Sequence, residues 1–358
     1  MLEARAVVQK LQSYHPPLAG RQGLRLDFNE NTAGCSPRVL ARMRTLDADA
    51  LARYPDREPV EREVARFLGL DAAQLLLTNG VDEAIHLLCS TYLDAGDEAI
   101  IVVPTFAMYS LFAHAEGARI VEIRSGSEFV FPTVELLAKI SPHTRLIAVA
   151  NPNNPTGAAV SQEILLQIAE RAPHAALLVD EAYFEFHGET FLTRQARPSN
   201  LFVARTFSKA YGLAGLRIGV LLGEATQMAM VRRVASPYNV NAVALAVLPE
   251  ALQDTAYVDR YATEVRRNRN LLEQELGRLG LHYWASRGNF VLVRIGSQHK
   301  EFVCSLRERG VLVRDRDSDP GCEGSVRLTV GSDEHTQTLI AALRTVVEDL
   351  RLHREVRA

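Results

Sequence analysis

Short, continuous apolar runs recur through the first two-thirds of the chain, at residues 75–77, 99–103, 120–123, 146–150, 176–179, 201–204 and 218–222. Runs of this length without polar alternation predict strands buried on both faces, as in a parallel sheet covered by helices. Helical periodicities lie between them. Val81, Ala84, Ile85, Leu88 and Cys89 fall on one face of a helix over 81–93, and Ile164, Leu165, Ile168 and Ala169 on one face of a helix over 161–172. Ser161 stands where the second helix needs a cap. Alternating strands and helices predict an α/β domain with a mostly parallel central sheet.

The last third has a different pattern. A long charged helix is predicted over 259–278, short strands over 290–294, 311–313 and 326–329, and a helix near 300–309. A closing helix over 333–352 begins after Ser332, a residue suited to cap it. This reads as a smaller α+β domain. Arg266, Arg267 and Arg269 on the long helix, with Glu264 and Glu273, read as a solvated helix face. The chain contains no internal repeat, low-complexity tract or long Gly/Ser linker.

Composition narrows the class. The 358 residues suggest two domains and suffice for a large core. With 47% hydrophobic and 23% charged residues, the chain does not read as disordered, collagenous or coiled-coil. A formal net charge of −3 provides no global basic field for nucleic acid. Cys35, Cys89, Cys304 and Cys322 form no C-x-x-C pair and read as free thiols of a reducing compartment. No histidines stand at ligand spacing, so no metal is expected. The N-terminus lacks a signal-peptide core, and no apolar run approaches the roughly 20 residues needed to span a bilayer. A soluble cytoplasmic enzyme is the expected class.

Four segments carry chemistry. The most specific is Thr206-Phe207-Ser208-Lys209-Ala210-Tyr211-Gly212-Leu213-Ala214-Gly215-Leu216-Arg217. A lysine crowded by hydroxyls and small residues after a buried strand loses pKa and becomes an amine nucleophile. Small neighbours let a flat ligand approach the backbone, and Arg217 can clamp a phosphate through two donors. The second is Leu177-Leu178-Val179-Asp180-Glu181-Ala182-Tyr183, which puts a carboxylate at the carboxyl edge of the sheet, where α/β ligands bind. An Asp at a strand end is also an ordinary turn or cap residue; with Lys209 close behind in sequence, it suits a carboxylate that holds a pyridine nitrogen protonated. The third is Asn151-Pro152-Asn153-Asn154-Pro155-Thr156-Gly157, a fixed turn that presents amides at the same edge. The fourth is Thr78-Asn79-Gly80-Val81-Asp82-Glu83, where a helix N-terminus offers N–H groups to a phosphate. Acidic residues also suit a first helical turn on dipole grounds alone.

Together these segments resemble fold-type I pyridoxal-phosphate (PLP) aminotransferases of the class I/II group, and within it the histidinol-phosphate aminotransferases. The family's elements are matched by Gly80-Val81-Asp82-Glu83, Asn154 to Gly157, Asp180 to Tyr183 and Arg205 to Arg217. The subgroup's are matched by Ser236-Pro237-Tyr238-Asn239-Val240-Asn241, Arg53-Tyr54-Pro55-Asp56 and the Asn-Glu-Asn at residues 29–31. The resemblance implies that Lys209 attaches the cofactor and shuttles the substrate's α-proton, and that Asp180 pairs with the ring nitrogen. It implies that Tyr183 and Asn154 bond the phenolic oxygen, and that Phe106 stacks on the ring. The phosphate would be held by Val81 and Asp82 backbone amides, Ser208 and Arg217. Tyr54 would reach into a partner subunit's site, making a homodimer with shared sites the functional unit. Arg327, with Arg314 as a second candidate, matches the arginine for the substrate's anion, and Tyr14 matches a tyrosine of the substrate pocket. A structural ion pair of Arg314 with Asp315 or Asp317 is an equal alternative for that residue.

The family places Pro-Thr-Tyr where this chain has Pro104-Thr105-Phe106, so the stacking ring here lacks a hydroxyl. Residues 14–21 and 31–37 match the family loosely, which leaves the donor less defined than the reaction. The expected activity is amino transfer from L-histidinol phosphate to 2-oxoglutarate. Alternatives are an aromatic amino acid aminotransferase, a PLP decarboxylase of the threonine-phosphate type and, outside enzymes, a PLP-binding transcription regulator. The resemblance also implies a large PLP-binding domain over 43–255 and a small discontinuous domain from 1–42 and 256–358, with no nucleic-acid or membrane partner.

Overall fold

The structure is a computed structural model that describes residues 2–13, 18, 20–193 and 198–352. Near the N-terminus a two-residue strand, β1 (Leu24–Arg25), precedes the main sheet. The sheet comprises β2 (Leu75–Thr78), β3 (Glu98–Val103), β4 (Arg119–Arg124), β5 (Thr144–Ala150), β6 (Ala176–Asp180), β7 (Leu201–Thr206) and β8 (Gly219–Leu222) in the order β2-β8-β7-β6-β5-β3-β4. Each apolar run predicted as a strand in the first two-thirds of the chain contributes a strand to this sheet. Pairings from β7 through β4 are parallel, whereas β8 runs antiparallel to both β7 and β2.

Continuous apolar runs are required because both faces of the sheet are dry. Successive residues point to opposite faces. Leu75, Leu77, Ile147, Val149, Leu177 and Val179 enter one core, and Leu76, Leu146, Ala148 and Leu178 the other. The second core is closed by the helix Gly80–Tyr92, whose Ala84, Ile85 and Leu88 are fully buried.

The C-terminal part holds a second sheet. Its strands are β9 (His282–Trp284), β10 (Phe290–Arg294), β12 (Arg314–Asp315) and β13 (Ser325–Thr329), in the order β12-β13-β10-β9 and all antiparallel. Strand β11 (Val311–Leu312) pairs instead with β1, in parallel, which ties the N-terminal segment to the C-terminal part. The long helix spans Thr255–Arg278 and starts four residues before its predicted position, because Tyr257 and Val258 extend its inward face and only Asp254 separates it from the helix Ala242–Gln253. Ser161 and Ser332 cap their helices by accepting from the N–H groups of Ile164 and His335.

The basic cluster on the long helix departs from its expected reading. Arg267 is exposed and paired with Asp333, as a solvated face requires. Arg269 is only 6% exposed and donates to the Gly288 carbonyl at 2.8 Å, and Arg266 donates to the Glu185 carbonyl. Two of the three arginines therefore anchor neighbouring segments through backbone carbonyls. Charge alone does not distinguish such anchors from a wetted surface.

The two sheets meet at Gly157. Its φ of +76° is open to glycine, and a Cβ there would lie 2.2 Å from Ser286 Oγ and 2.8 Å from Ser286 Cα. The Gly157 carbonyl accepts from the Arg287 N–H at 2.8 Å, which fixes the contact. Gly69 has a similar φ, +69°, with nothing near a would-be Cβ. Gly69→Ala is expected to cost about 1 kcal/mol from the backbone conformation alone, and Gly157→Ala about 3 kcal/mol or more because overpacking adds to it. Thermal or urea unfolding of the two variants checks the difference; equal losses would contradict the reading.

Candidate active site

The parallel strands deliver their ends to one place. Asp180 is the last residue of β6 and is 5% exposed. Lys209 follows β7 by three residues, and Asn154 lies in the turn after β5. Here the chain leaves the sheet, so its side chains gather around a cavity of about 280 Å³. Val81, Asp82, Phe106, Asn154, Asp180, Tyr183, Ser208, Lys209 and Arg217 all line it.

One end of the cavity is built for an anion. The helix Gly80–Tyr92 points its N-terminus inward, with Val81 and Asp82 at its first turn. A thirteen-residue helix presents unpaired N–H groups and a partial positive charge there. Arg217 faces it and holds the Asp82 carboxylate at 2.7 Å, both side chains being about half exposed. Gly80 has φ +73°, and a Cβ on it would come within 2.7 Å of the Arg217 guanidinium. Arg217 itself adopts φ +53°, one of four non-glycine residues with positive φ among the described residues. The left-handed conformation costs such a residue about 1–2 kcal/mol, a strain characteristic of functional positions. Glycine, helix terminus and arginine thus form a cradle fitted to a phosphate.

The opposite wall is titratable. Asp180 Oδ2 accepts from the Tyr109 hydroxyl at 2.6 Å and Oδ1 from the Ala182 N–H at 3.0 Å. Burial pushes the carboxyl up to about 6, and these two donors restrain the rise. It remains mainly ionised at neutral pH, which suits it to hold a protonated ring nitrogen. The Lys209 ammonium donates to the Phe28 carbonyl at 2.9 Å. Burial, and then the nearby Arg327 charge, lower its pKa to about 8, with Glu30 opposing the shift. A usable fraction of free amine therefore exists near neutrality. Tyr183 accepts from Asn29 Nδ2 at 2.9 Å, and burial raises its pKa.

Arg327 lies on β13, directly opposite Arg314 across the strand pair. It donates to Asn154 Oδ1 and, at 2.7 Å, to the Asp27 carbonyl. Burial, then the neighbouring Arg316, lowers its pKa to about 10. Its hydrogen bonds go to neutral oxygens, so its charge remains available to an incoming anion. The Arg314 guanidinium lies 5.3 Å from the centre of the Phe28 ring, the residue whose carbonyl holds Lys209. Asp315 and Asp317, considered as partners for Arg314, both face His299.

Arg314, Arg327 and Tyr54 are not among the residues that line the cavity. Tyr54 is 80% exposed and stacks on Tyr238 with ring centres 4.4 Å apart, away from the residues lining the cavity. Tyr14 lies outside the described residues. Sequence reading missed Tyr109, although it follows the ring of Phe106 by three residues and the two rings meet edge to face. It also missed Phe28, which sits beside the better-marked Asn29 and contributes through its carbonyl.

The softened lysine, the buried carboxylate and the cradle at the helix N-terminus fit the cofactor that the sequence resemblance implies. The model of the family "Aminotransferase class I and II" matches residues 21–343, and the chain belongs to that family. It is 32% identical over 350 residues to histidinol-phosphate aminotransferase 1 of Nostoc sp., covering 96% of this chain and 98% of that protein. It is 35% identical over 346 residues to a histidinol-phosphate aminotransferase of Geobacillus sp., covering 92% and 91%. The crystal structure of histidinol-phosphate aminotransferase from Sinorhizobium meliloti in complex with pyridoxal-5'-phosphate superposes with a TM-score of 0.87 at 24% identity, over 98% of this chain and 99% of that one. The protein is therefore a PLP-dependent aminotransferase. Among the described residues no helix is long and apolar enough to cross a membrane.

The lysine's environment sets a measurable quantity. The rate at which Lys209 captures added PLP in the apoprotein should rise with pH through a midpoint near 8, because the free amine is the reactive form. Removing the Arg327 charge by Arg327→Leu should move that midpoint upward. A midpoint near 10.5 in the wild type, the value of a solvated lysine, would contradict the assignment.

Proposed function

We propose that the protein transfers the amino group of L-histidinol phosphate to 2-oxoglutarate, working in the cytoplasm as a homodimer with shared sites. The observation that carries this reading is the cross-strand pair Arg314 and Arg327 beside Lys209, which offers concentrated positive charge to the anionic end of a donor. Two near full-length relatives at 32% and 35% identity bear the name of this activity and support it.

When bound, PLP supplies a ring that withdraws electrons from the donor's Cα–H bond. The chain's own residues do the rest. Lys209 attaches the cofactor and, as free amine, takes the proton from the donor's Cα and later returns it. Asp180 keeps the ring nitrogen protonated through opposite charge at close range, with Tyr109 holding that carboxylate in place. Tyr183 and Asn154 donate toward the phenolic oxygen, and Phe106 packs on the ring face. The Val81 and Asp82 amides, Ser208 and Arg217 hold the phosphate. Arg327 and Arg314 bind the donor's phosphate. In 2-oxoglutarate a carboxylate takes the place of that phosphate on the arginines.

The domain division we propose is a large unit over 43–255 and a small one from 1–42 and 256–358. Tyr54 belongs to the partner's site in this reading. Its exposure together with Tyr238, Leu51, Leu40 and Met43 supports an apolar face that a second copy covers.

Steady-state kinetics with a donor panel tests the substrate. L-histidinol phosphate should exceed phenylalanine and tyrosine in kcat/KM by at least tenfold, and Lys209→Ala should lose both turnover and the visible absorption of the bound cofactor. A tenfold preference for phenylalanine would assign the protein to aromatic amino acids instead, and carbon dioxide release without a keto acid acceptor would assign it as a decarboxylase.

A further inference from the structure

Beyond Arg314 and Arg327, the extended chain just past the strand Arg314–Asp315 carries a further, unassigned arginine, Arg316. The segment reads Arg314-Asp315-Arg316-Asp317, and a strand sends alternate side chains to opposite faces. The acids point one way: His299 Nδ1 lies 3.0 Å from Asp315 and Nε2 lies 3.5 Å from Asp317. His299 is buried, so one imidazole pins both carboxylates to the back of the strand. The arginines consequently point forward. Arg314 stands opposite Arg327, and the Arg316 N–H bonds the Ser325 carbonyl at 2.9 Å, which continues the register by one step.

Three guanidinium groups thus share one face, and like charges at this range repel. Among the described residues, a carboxylate, Asp319, stands with them. Asp319 forms an ion pair with Arg316, and the charges of Arg316, Arg327 and Arg314 all act on it. Arg316 and Arg314 both act on Arg327, so the cluster is positively charged around it. Two of its buried nitrogens, Arg316 Nε and Arg327 Nε, have no hydrogen-bond partner among the described residues. Buried donors without partners are costly, and several clustered cations match a dianion better than a monoanion.

We propose that Arg316 determines specificity for the donor's anionic group. It adds a third cation to the Arg314–Arg327 pair and selects a phosphomonoester dianion over a carboxylate, while Asp319 holds its guanidinium until the dianion arrives. The proposal rests on the reading that Arg327 faces the substrate's anion, and it goes beyond that reading by naming the residue that sets the charge preference.

The test uses the PLP-loaded enzyme and two dead-end ligands without an amine, propyl phosphate and butyrate, each measured as a competitive inhibitor against the amino donor. Wild type should bind propyl phosphate at least tenfold more tightly than butyrate. Arg316→Gln should weaken propyl phosphate tenfold or more and butyrate less than threefold, with kcat for the donor within twofold and the loss in KM. Arg316→Lys should recover part of the phosphate affinity. Asp319→Asn, which releases Arg316 without removing it, should tighten propyl phosphate about threefold and keeps the test decisive if Arg316→Gln folds poorly. Equal losses for both ligands, no loss for either, or weaker phosphate binding by Asp319→Asn would overturn the role of Arg316. If the phosphate preference holds but L-histidinol phosphate is not turned over, the proposed donor fails and the role of Arg316 stands.

Discussion

The site depends on keeping one carboxylate ionised where water does not reach it. Asp180 ends a strand in the middle of a sheet covered on both faces, a position that penalises charge. Two donors, the Tyr109 hydroxyl and the Ala182 N–H, limit the penalty and leave the group titrating near 6. The order of the strands follows from this need. Asp180 must sit beside β5 and β7, because those strands deliver Asn154 and Lys209, and the helix Met108–Glu116 must follow β3 closely enough to bring Tyr109 under the carboxylate. A ligand with a positive ring nitrogen completes the arrangement by giving Asp180 the counter-charge that the protein alone withholds.

Charge is distributed around this centre with a consistent logic. Lys209 is softened by burial and by Arg327, so the cation proposed to receive substrate also prepares the nucleophile. Arg327 is in turn held by neutral oxygens, which position it without neutralising it. Its cross-strand neighbour Arg314 belongs to a short strand whose acidic residues are drawn away to His299. The phosphate cradle differs: Arg217 rests on Asp82, both partly wetted, and so is free to exchange that partner for an anion.

Much of this was legible in the sequence, for physical reasons. Runs such as Leu177 to Val179 are apolar throughout because each residue meets one of two dry cores, so the main sheet was readable from hydrophobicity. The cavity was readable because its residues cluster in a few strand-end segments, where a carboxylate, a lysine and a glycine have little structural reason to occur together. Strands β1, β9 and β12 were not readable, since two or three residues carry no period and their pairing is decided by distant partners such as Val311 and Leu292. The reversed direction of β8 is likewise a property of topology. Arg269 and Tyr109 show the limit for side chains. Each is defined by a contact with a segment far along the chain, Gly288 in one case and Asp180 in the other.

The state of the Asp180 pair tests the account most directly. Nitrogen-15 NMR of the enzyme loaded with PLP labelled at the ring nitrogen reports whether that nitrogen carries a proton. The account requires a protonated nitrogen in the wild type from pH 6 to pH 9, far above the pKa of a free pyridine, and a neutral one in Asp180→Asn. A neutral ring nitrogen in the wild type, or a protonated one that persists in Asp180→Asn, would contradict it.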